Sequence, residues 1–378
     1  MVSQQRIFFD FLQFCIGSVT DIPASVKDAD WKVLYAIAKK QALLGVLFYG
    51  IRRLPKELAP EQKLLMQWMV MAEQIRKQNI RLFQDSVKVC QNFENEGFTN
   101  CILKGQGNAL LYPDPYMRTP GDIDIYLSGG RRKIMKYVDQ VCPNQVMRYH
   151  HVDFPVMKTA IEVHFTPSYM FCPIHNRRMQ KWFEEVMGEQ CNHRVSLPDG
   201  YGEIHVPQVS FNVIYILSHL YRHIFTEGIG LRQLLDYYFV LVKWHTNLTD
   251  SNKSLPQMTQ INTDLDILRH ELKYLGLWKF AQAVMYVLHE VFGLSEDWMI
   301  APMDEREGRF LLDEIMRGGN FGQYDDRMGS KVGESKIHRY FRMNLRNLRF
   351  VKHYPTEALS EPLFRTWFAV WKKIHGIK

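Results

Sequence analysis

Glycine and proline are sparse in this chain, at 23 and 16 of 378 residues. That scarcity excludes collagen-like and Pro/Gly low-complexity architectures. Cysteine is scarcer still. Cys15, Cys90, Cys101, Cys142, Cys172 and Cys191 form no CxxC pair and no zinc-like spacing, which excludes a disulfide scaffold and a zinc ribbon. Cys15, Cys90 and Cys101 lie among apolar neighbours, as buried free thiols do. A reduced, cytoplasmic protein is expected. Long apolar runs are also missing: no stretch approaches ~18 uninterrupted apolar residues, so no membrane span is expected. The opening MVSQQRIFFDFLQFCIG has the outline of a signal peptide, but Asp10 and Gln13 break it and no small-x-small cleavage site follows. It reads as the first amphipathic helix of a folded domain.

What is present suits a globular chain. Hydrophobic residues make up 46% of the sequence, ample for a core, and the length fits two domains or one domain with helical extensions. The net charge of +7 favours phosphate-bearing partners without singling out nucleic acid.

The chain divides into four stretches. Residues 1–97 read as a helical N-terminal region: Trp31, Leu34, Ile37, Ala38 and Ala42 recur at helical spacing, as do Leu64, Leu65, Trp68, Met69 and Ala72. Met66, Met69 and Met71 are expected as core filler. Residues 98–172 change period and form the α+β core. TNCILKG is a strand stopping at Gly105, a short helix over 106–111 follows, and then a proline-rich loop. DIDIYL alternates, with Asp122, Asp124 and Tyr126 on one face and Ile123, Ile125 and Leu127 on the other. GGRRKIMKYVDQV reads as a helix, and MRYHHVDF and TAIEVHF as two more strands. Residues 173–330 return to helices, with a solvated loop expected over 246–260 and two helices around 264–292. Residues 331–378 are a basic, aromatic extension. The fold class is therefore α+β, a small mixed sheet flanked by helical regions.

Asp122 and Asp124 project from the same strand face. Two like charges ~4 Å apart repel by about 4 kcal/mol at an effective dielectric of 20, so a fold keeps such a pair only when protons or cations neutralise it. Mg²⁺ is the natural choice, with Mn²⁺ as an alternative, because it prefers carboxylate and phosphate oxygens. Glu162 on a neighbouring strand supplies a third acid, which completes a site for two metal ions, with His164 on its own face. Nucleotidyl transfer needs such a set, since metal ions aim the attacking hydroxyl and neutralise the departing phosphates. A strand ending in Gly105 before a helix start offers backbone N–H donors to phosphate, with Lys104 as an added cation.

LKGQGNALLYPDPYMRTPGDIDIYL followed by IEVHF resembles the uncharacterised bacterial nucleotidyltransferases of the polymerase-β superfamily. The likeness is strongest over residues 98–166 and extends to HLYRHIFTEGIGLRQLLDYYFVL. It implies that Asp122, Asp124 and Glu162 are the catalytic and metal-holding carboxylates. It further implies that Lys104, Gly105, Gln106 and Arg118 form the nucleotide-binding turn and loop. Superfamily members commonly carry Ser after the turn glycine, where this chain has Gln106.

The remaining candidates each have two readings. Arg118 either clamps phosphate or pairs with Asp122, and Lys104 either meets phosphate or caps the strand in solvent. His164 either takes part in the site, by orienting a carboxylate or moving a proton, or is a hydrogen-bonded structural histidine, the favoured reading. Adjacent on a strand, His150 and His151 are expected to face opposite ways. His219 and His223 have i, i+4 spacing but no HExxH glutamate, so zinc is not favoured. Arg232 and Asp236 read as an exposed helix pair contributing about 0.3–0.5 kcal/mol, or, by the resemblance, as shapers of the cleft. In the extension, Phe364, Trp367, Phe368, Trp371 and Ile374 form a stripe. That stripe either docks on the core or lies peripherally on an anionic membrane, and KIHRYFRMNLRNLRFVKHYP could meet RNA.

The expected function is Mg²⁺-dependent transfer of NMP from an NTP to the hydroxyl of an unidentified small molecule, sugar or peptide. Two alternatives stand: an inactive nucleotide-binding or assembly module, which Gln106 favours, and a tRNA-directed nucleotidyltransferase, which the positive charge favours.

Overall fold

The computed structural model describes residues 2–251, 257–328 and 335–376. The N-terminal region is helical, as expected: α1 (Gln4–Ile16), α2 (Trp31–Lys40), α3 (Leu44–Ile51) and the long α4 (Gln62–Asn95). Ser3 caps α1 by accepting from the Arg6 N–H, and Gly17 closes it in the left-handed conformation. Along α4 the buried stripe is Leu64, Trp68, Ala72, Ile75, Asn79, Leu82, Phe83, Ser86, Val89, Cys90 and Phe93. Met66 and Met69 fall on the opposite side, 55% and 49% exposed, and are not core filler. Helical spacing from Trp68 carries both thioethers past the edge of the stripe.

The core follows with β1 (Asn100–Ile102), α5 (Gln106–Ala109), β2 (Ile123–Leu127), α6 (Gly130–Val141), β3 (His151–Asp153) and β4 (Ile161–His164). The sheet order is β1-β2-β4-β3, with β2 and β4 parallel and both outer pairs antiparallel. One face carries Ile102, Ile123, Ile125, Leu127, Ile161 and Val163, all buried against α6 and the second half of α4. The other face carries Asp124, Glu162 and His164.

Beyond the sheet come α7 (Pro173–Gln190), the β5–β6 hairpin (Arg194–Ser196 and Glu203–His205), α8 (Val209–Thr226), α9 (Leu231–Ser251), α10 (Gln257–Tyr274) and α11 (Trp278–Phe292). The expected loop over 246–260 is instead helical through Ser251 and again from Gln257; residues 252–256 lie outside the described residues. Thr246 and Thr249 satisfy their hydroxyls on carbonyls three or four residues back, which lets polar residues stay in a helix. The chain ends with α12 (Glu305–Gly318), α13 (Lys336–Val351) and α14 (Pro355–Ile374). Helix α1 packs against α3 and α11, so the two ends of the chain share one apolar core. All six cysteines are free, and five of them, including Cys15, Cys90 and Cys101, are buried. Among the described residues, no helix is long and apolar enough to cross a membrane.

The aromatic stripe of α14 divides. Phe364 packs on Tyr149, Tyr169 and Phe171 at centroid distances of 5.0, 5.1 and 5.6 Å, and Phe368 meets Tyr149 at 5.7 Å. Trp367 and Ile374 point outward, 51% and 74% exposed. The stripe is wider than the arc of helix that the core covers.

Candidate active site

The parallel register of β2 and β4 sets Asp124 directly beside Glu162 and Tyr126 beside His164. Asp122 immediately precedes β2, and the Ile123 N–H that follows it donates to Ala160 O at 2.9 Å. The Leu103 N–H donates to Asp124 O at 2.9 Å, so β1 delivers Lys104 and Gly105 to the same end of the sheet. Gly105 has φ 61° and ψ −100°, a conformation open to glycine and costly for residues with a Cβ. This turn is therefore built around its glycine.

Charge crowding defines the electrostatics. Asp124, fully buried, accepts from His164 Nε2 at 3.0 Å and faces Lys104 Nζ at 3.2 Å. Burial opposes its charge, but Lys104 and His164 outweigh it and hold the carboxyl well below the usual range. Asp122 goes the other way: the Asp124 charge, then burial, push it from 3.8 to about 6. Glu162 is lowered despite burial, chiefly through His164 at 3.6 Å. His164 is raised because Asp124 and Glu162 favour its proton more than burial opposes it. His164 thus contacts both carboxylates, at 3.0 Å to Asp124 and 3.6 Å to Glu162.

His150 and His151 do not diverge. His150 precedes β3 in a bend, outside the pleat that would alternate them, and the two rings lie 4.4 Å apart. Both reach His164 at 5.1 Å. His151 Nδ1 lies 3.3 Å from Glu162, and burial, then His164, depress its pKa to about 3.

Arg118 does not pair with Asp122. Its fork grips Asp236, Nε to Oδ1 and a terminal nitrogen to Oδ2, both at 2.8 Å. Asp236 also accepts from Tyr112 Oη at 2.7 Å. From α4, Asn79 donates to the carbonyls of Tyr116 and Arg118, both at 2.8 Å. The proline-rich loop is thereby tied to helices on either side of the core in sequence. Arg232 and Asp236 are buried, not an exposed pair, and Asp236 answers Arg118 rather than Arg232. Helix α9 packs this face against the sheet domain, which the i, i+4 spacing could not disclose.

These groups line one cleft. Its narrow inner end is bounded by Lys104, Gly105, Asn108, Arg118, Asp122, Asp124, His219, Arg232, Gln233 and Asp236. It widens into a space of about 670 Å³ bounded by Glu162, His150, His151, Tyr169, Arg222 and the inner side of α14. Gln106 lies outside both linings; its side chain is buried and its Oε1 has no partner. Lys104 is not a solvent cap, since Nζ also sits 3.0 Å from His219 Nε2. The sequence reading passed over Asn108, Gln233 and Arg222. Arg222 carried a usable signal: with His219 and His223 it makes a polar i, i+3, i+4 stripe on an otherwise buried helix.

The residues fit divalent metal. Three acids converge, one is displaced toward neutrality by its neighbour, and their direct contacts are with Lys104 and imidazoles. Asp124, Glu162 and His164 present ligand atoms within 4.8 Å of one another. No curated protein and no solved structure matches the chain. A family model described as an uncharacterised nucleotidyltransferase matches residues 27–293, the span holding the three acids, the Gly105 turn and helices α8 and α9 but not α14, and the chain belongs to that family.

Proposed function

We propose that this protein transfers an NMP from an NTP to the hydroxyl of an acceptor, with Asp122, Asp124 and Glu162 holding Mg²⁺. The observation that supports this reading most directly is the β2–β4 register, which sets Asp124 beside Glu162 with Asp122 one step away at the mouth of the Lys104–Gly105 turn. Bound there, Mg²⁺ supplies charge neutralisation to the phosphates and to the entering hydroxyl.

The chain's own groups do the rest. The Gly105 turn and the N–H groups at the start of α5 face phosphate oxygens, and Lys104 beside them would add a cation to the triphosphate, while metal held by the three acids would supply Asp124 with counter-charge. Arg232 lines the inner end as a further cation. The acceptor oxygen forms a bond to the α-phosphorus, the bond to the bridging oxygen breaks, and pyrophosphate leaves. The hydroxyl proton passes to Glu162, the carboxylate nearest the wide part of the cleft. His164 keeps Asp124 and Glu162 aimed throughout, and Arg118 braces the loop through Asp236 instead of touching nucleotide.

The test is label transfer from each of the four α-³²P NTPs, with Mg²⁺ or Mn²⁺ and a cell extract as acceptor source. Transfer by wild type and its loss in Asp122→Asn/Asp124→Asn is the expected result. Calorimetry with the same nucleotides covers the case of a missing acceptor: Mg²⁺-dependent binding without transfer favours a non-catalytic nucleotide module. No nucleotide binding at all would reject the site.

A further inference from the structure

Arg222 is buried in α8, 8% exposed, and borders the wide part of the cleft but not its inner end. One terminal nitrogen lies 3.3 Å from His219 Nδ1 and 3.0 Å from His223 Nε2. The guanidinium carbon stands 5.1 Å from the Tyr169 ring centroid, and Nε has no hydrogen-bond partner. His223 Nε2 accepts from Arg222 only when its ring is neutral, and His219, set between Arg222 and Lys104, offers a lone pair at one nitrogen at a time. Burial keeps both rings neutral, with Lys104 then His223 and Arg222 adding to it at His219, which lies well below 6.5, and Arg222 at His223, which falls to about 4.

No carboxylate pairs with Arg222 among the described residues, whereas the equally buried Arg118 is gripped by Asp236. Glu227, at the rim, is engaged by His223 at 3.4 Å and has a side chain 59% exposed. A buried cation with only neutral direct contacts costs stability, and folds retain one where a ligand brings the missing charge. The same wall adds the exposed Arg148 and the half-buried Lys372. Tyr169 and Phe364 stack beside Arg222 with planes 18° apart and leave a flat apolar flank.

We propose that Arg222 anchors an oxyanion, phosphoryl or carboxylate, carried by the hydroxyl acceptor. The inference rests on the transferase reading and narrows its substrate class: the acceptor is itself anionic. Two separate cationic stations then serve one cleft, Lys104 and Arg232 for the triphosphate and Arg222 for the acceptor. Arg222 presents the planar donor fork that suits either oxyanion.

The experiment is calorimetric titration of the full chain with inorganic phosphate, and in parallel with acetate, with and without saturating Mg²⁺ and α,β-methylene-ATP. Phosphate or acetate should bind in the presence of the nucleotide analogue. Arg222→Gln should weaken that binding by about tenfold or more, the loss of a charge-assisted contact, and Arg222→Lys should weaken it less. Arg52→Gln, at an exposed position outside the cleft lining, should leave it near the wild-type value. Stronger binding of one anion identifies the acceptor's group as phosphoryl or carboxylate. A thermal melt shows that each variant is folded; if the glutamine variant is not, the lysine variant and Arg148→Gln carry the comparison.

The inference is overturned if the anions compete with the nucleotide analogue, if they bind equally without the Arg222 fork, or if neither binds at millimolar concentration. Should phosphate bind through Arg222 while no nucleotide binds, the anion site stands and the transferase reading fails.

Discussion

Asp122 and Asp124 share a strand end, yet their environments push them apart. Lys104 and His164 keep Asp124 ionised, and that retained charge raises Asp122 to about 6. The folded state therefore holds more protons on Asp122 than the unfolded chain does between pH ~4 and ~6. Its contribution makes stability fall as pH rises through that window. Asp122→Asn should melt a few degrees higher than wild type in metal-free buffer above pH 6, with the gap closing toward pH 4. The variant should also lose most of the rise in melting temperature that Mg²⁺ gives the wild type at pH 8. Scanning fluorimetry across pH, with and without Mg²⁺, checks both effects. A wild type indifferent to Mg²⁺ would reject the metal assignment.

At the scale of elements, the cleft is assembled by strand register and by helices distant in sequence. Sequence alternation put Asp124, Glu162 and His164 on one sheet face, and the structure agrees, because a side-chain period of two leaves a strand no other choice. The same rule misplaced His150, which sits in a bend just before β3. Arg118 and Asp236 are separated by 118 residues, so no local spacing could pair them. Helix α14 is the clearest case of an element whose role depends on its neighbours, since it closes the wide part of the cleft with Phe364, Phe368 and Lys372. Phe364→Ala removes ring contacts to Tyr149, Tyr169 and Phe171 and should cost about 2 kcal/mol in urea unfolding. It should raise KM for the acceptor while leaving KM for the NTP near the wild-type value. Equal effects on both would place α14 outside the acceptor region.

For the whole molecule, the family match ends short of the packed unit. Helix α1 precedes residue 27, yet Ile7, Phe8, Phe11, Leu12 and Cys15 are fully buried and α1 packs on α11. Past residue 293, Leu311, Ile315, Phe350 and Tyr354 belong to the same apolar cluster. A fragment spanning 27–293 would expose these complementary surfaces and should fail to give a cooperative melt, whereas the full chain should unfold with a sharp transition. Circular dichroism of both checks this. A cooperative fragment would show that the flanking helices are dispensable for folding.

By itself the sequence determined most of the local elements outside residues 246–260, the α+β class, the shared face of Asp124, Glu162 and His164, and the glycine turn beside them. Each depends on periods of 2.0 or 3.6 residues, or on a backbone angle that one residue type tolerates, and such constraints act within a few positions. The tertiary structure alone decided that Asp236 holds Arg118 and that no carboxylate among the described residues pairs with Arg222. It also decided that two adjacent histidines converge on His164, and that Met66 and Met69 face outward. These outcomes follow from which surfaces pack together over long sequence separations, where burial and charge pairing are settled by neighbours that local spacing does not specify.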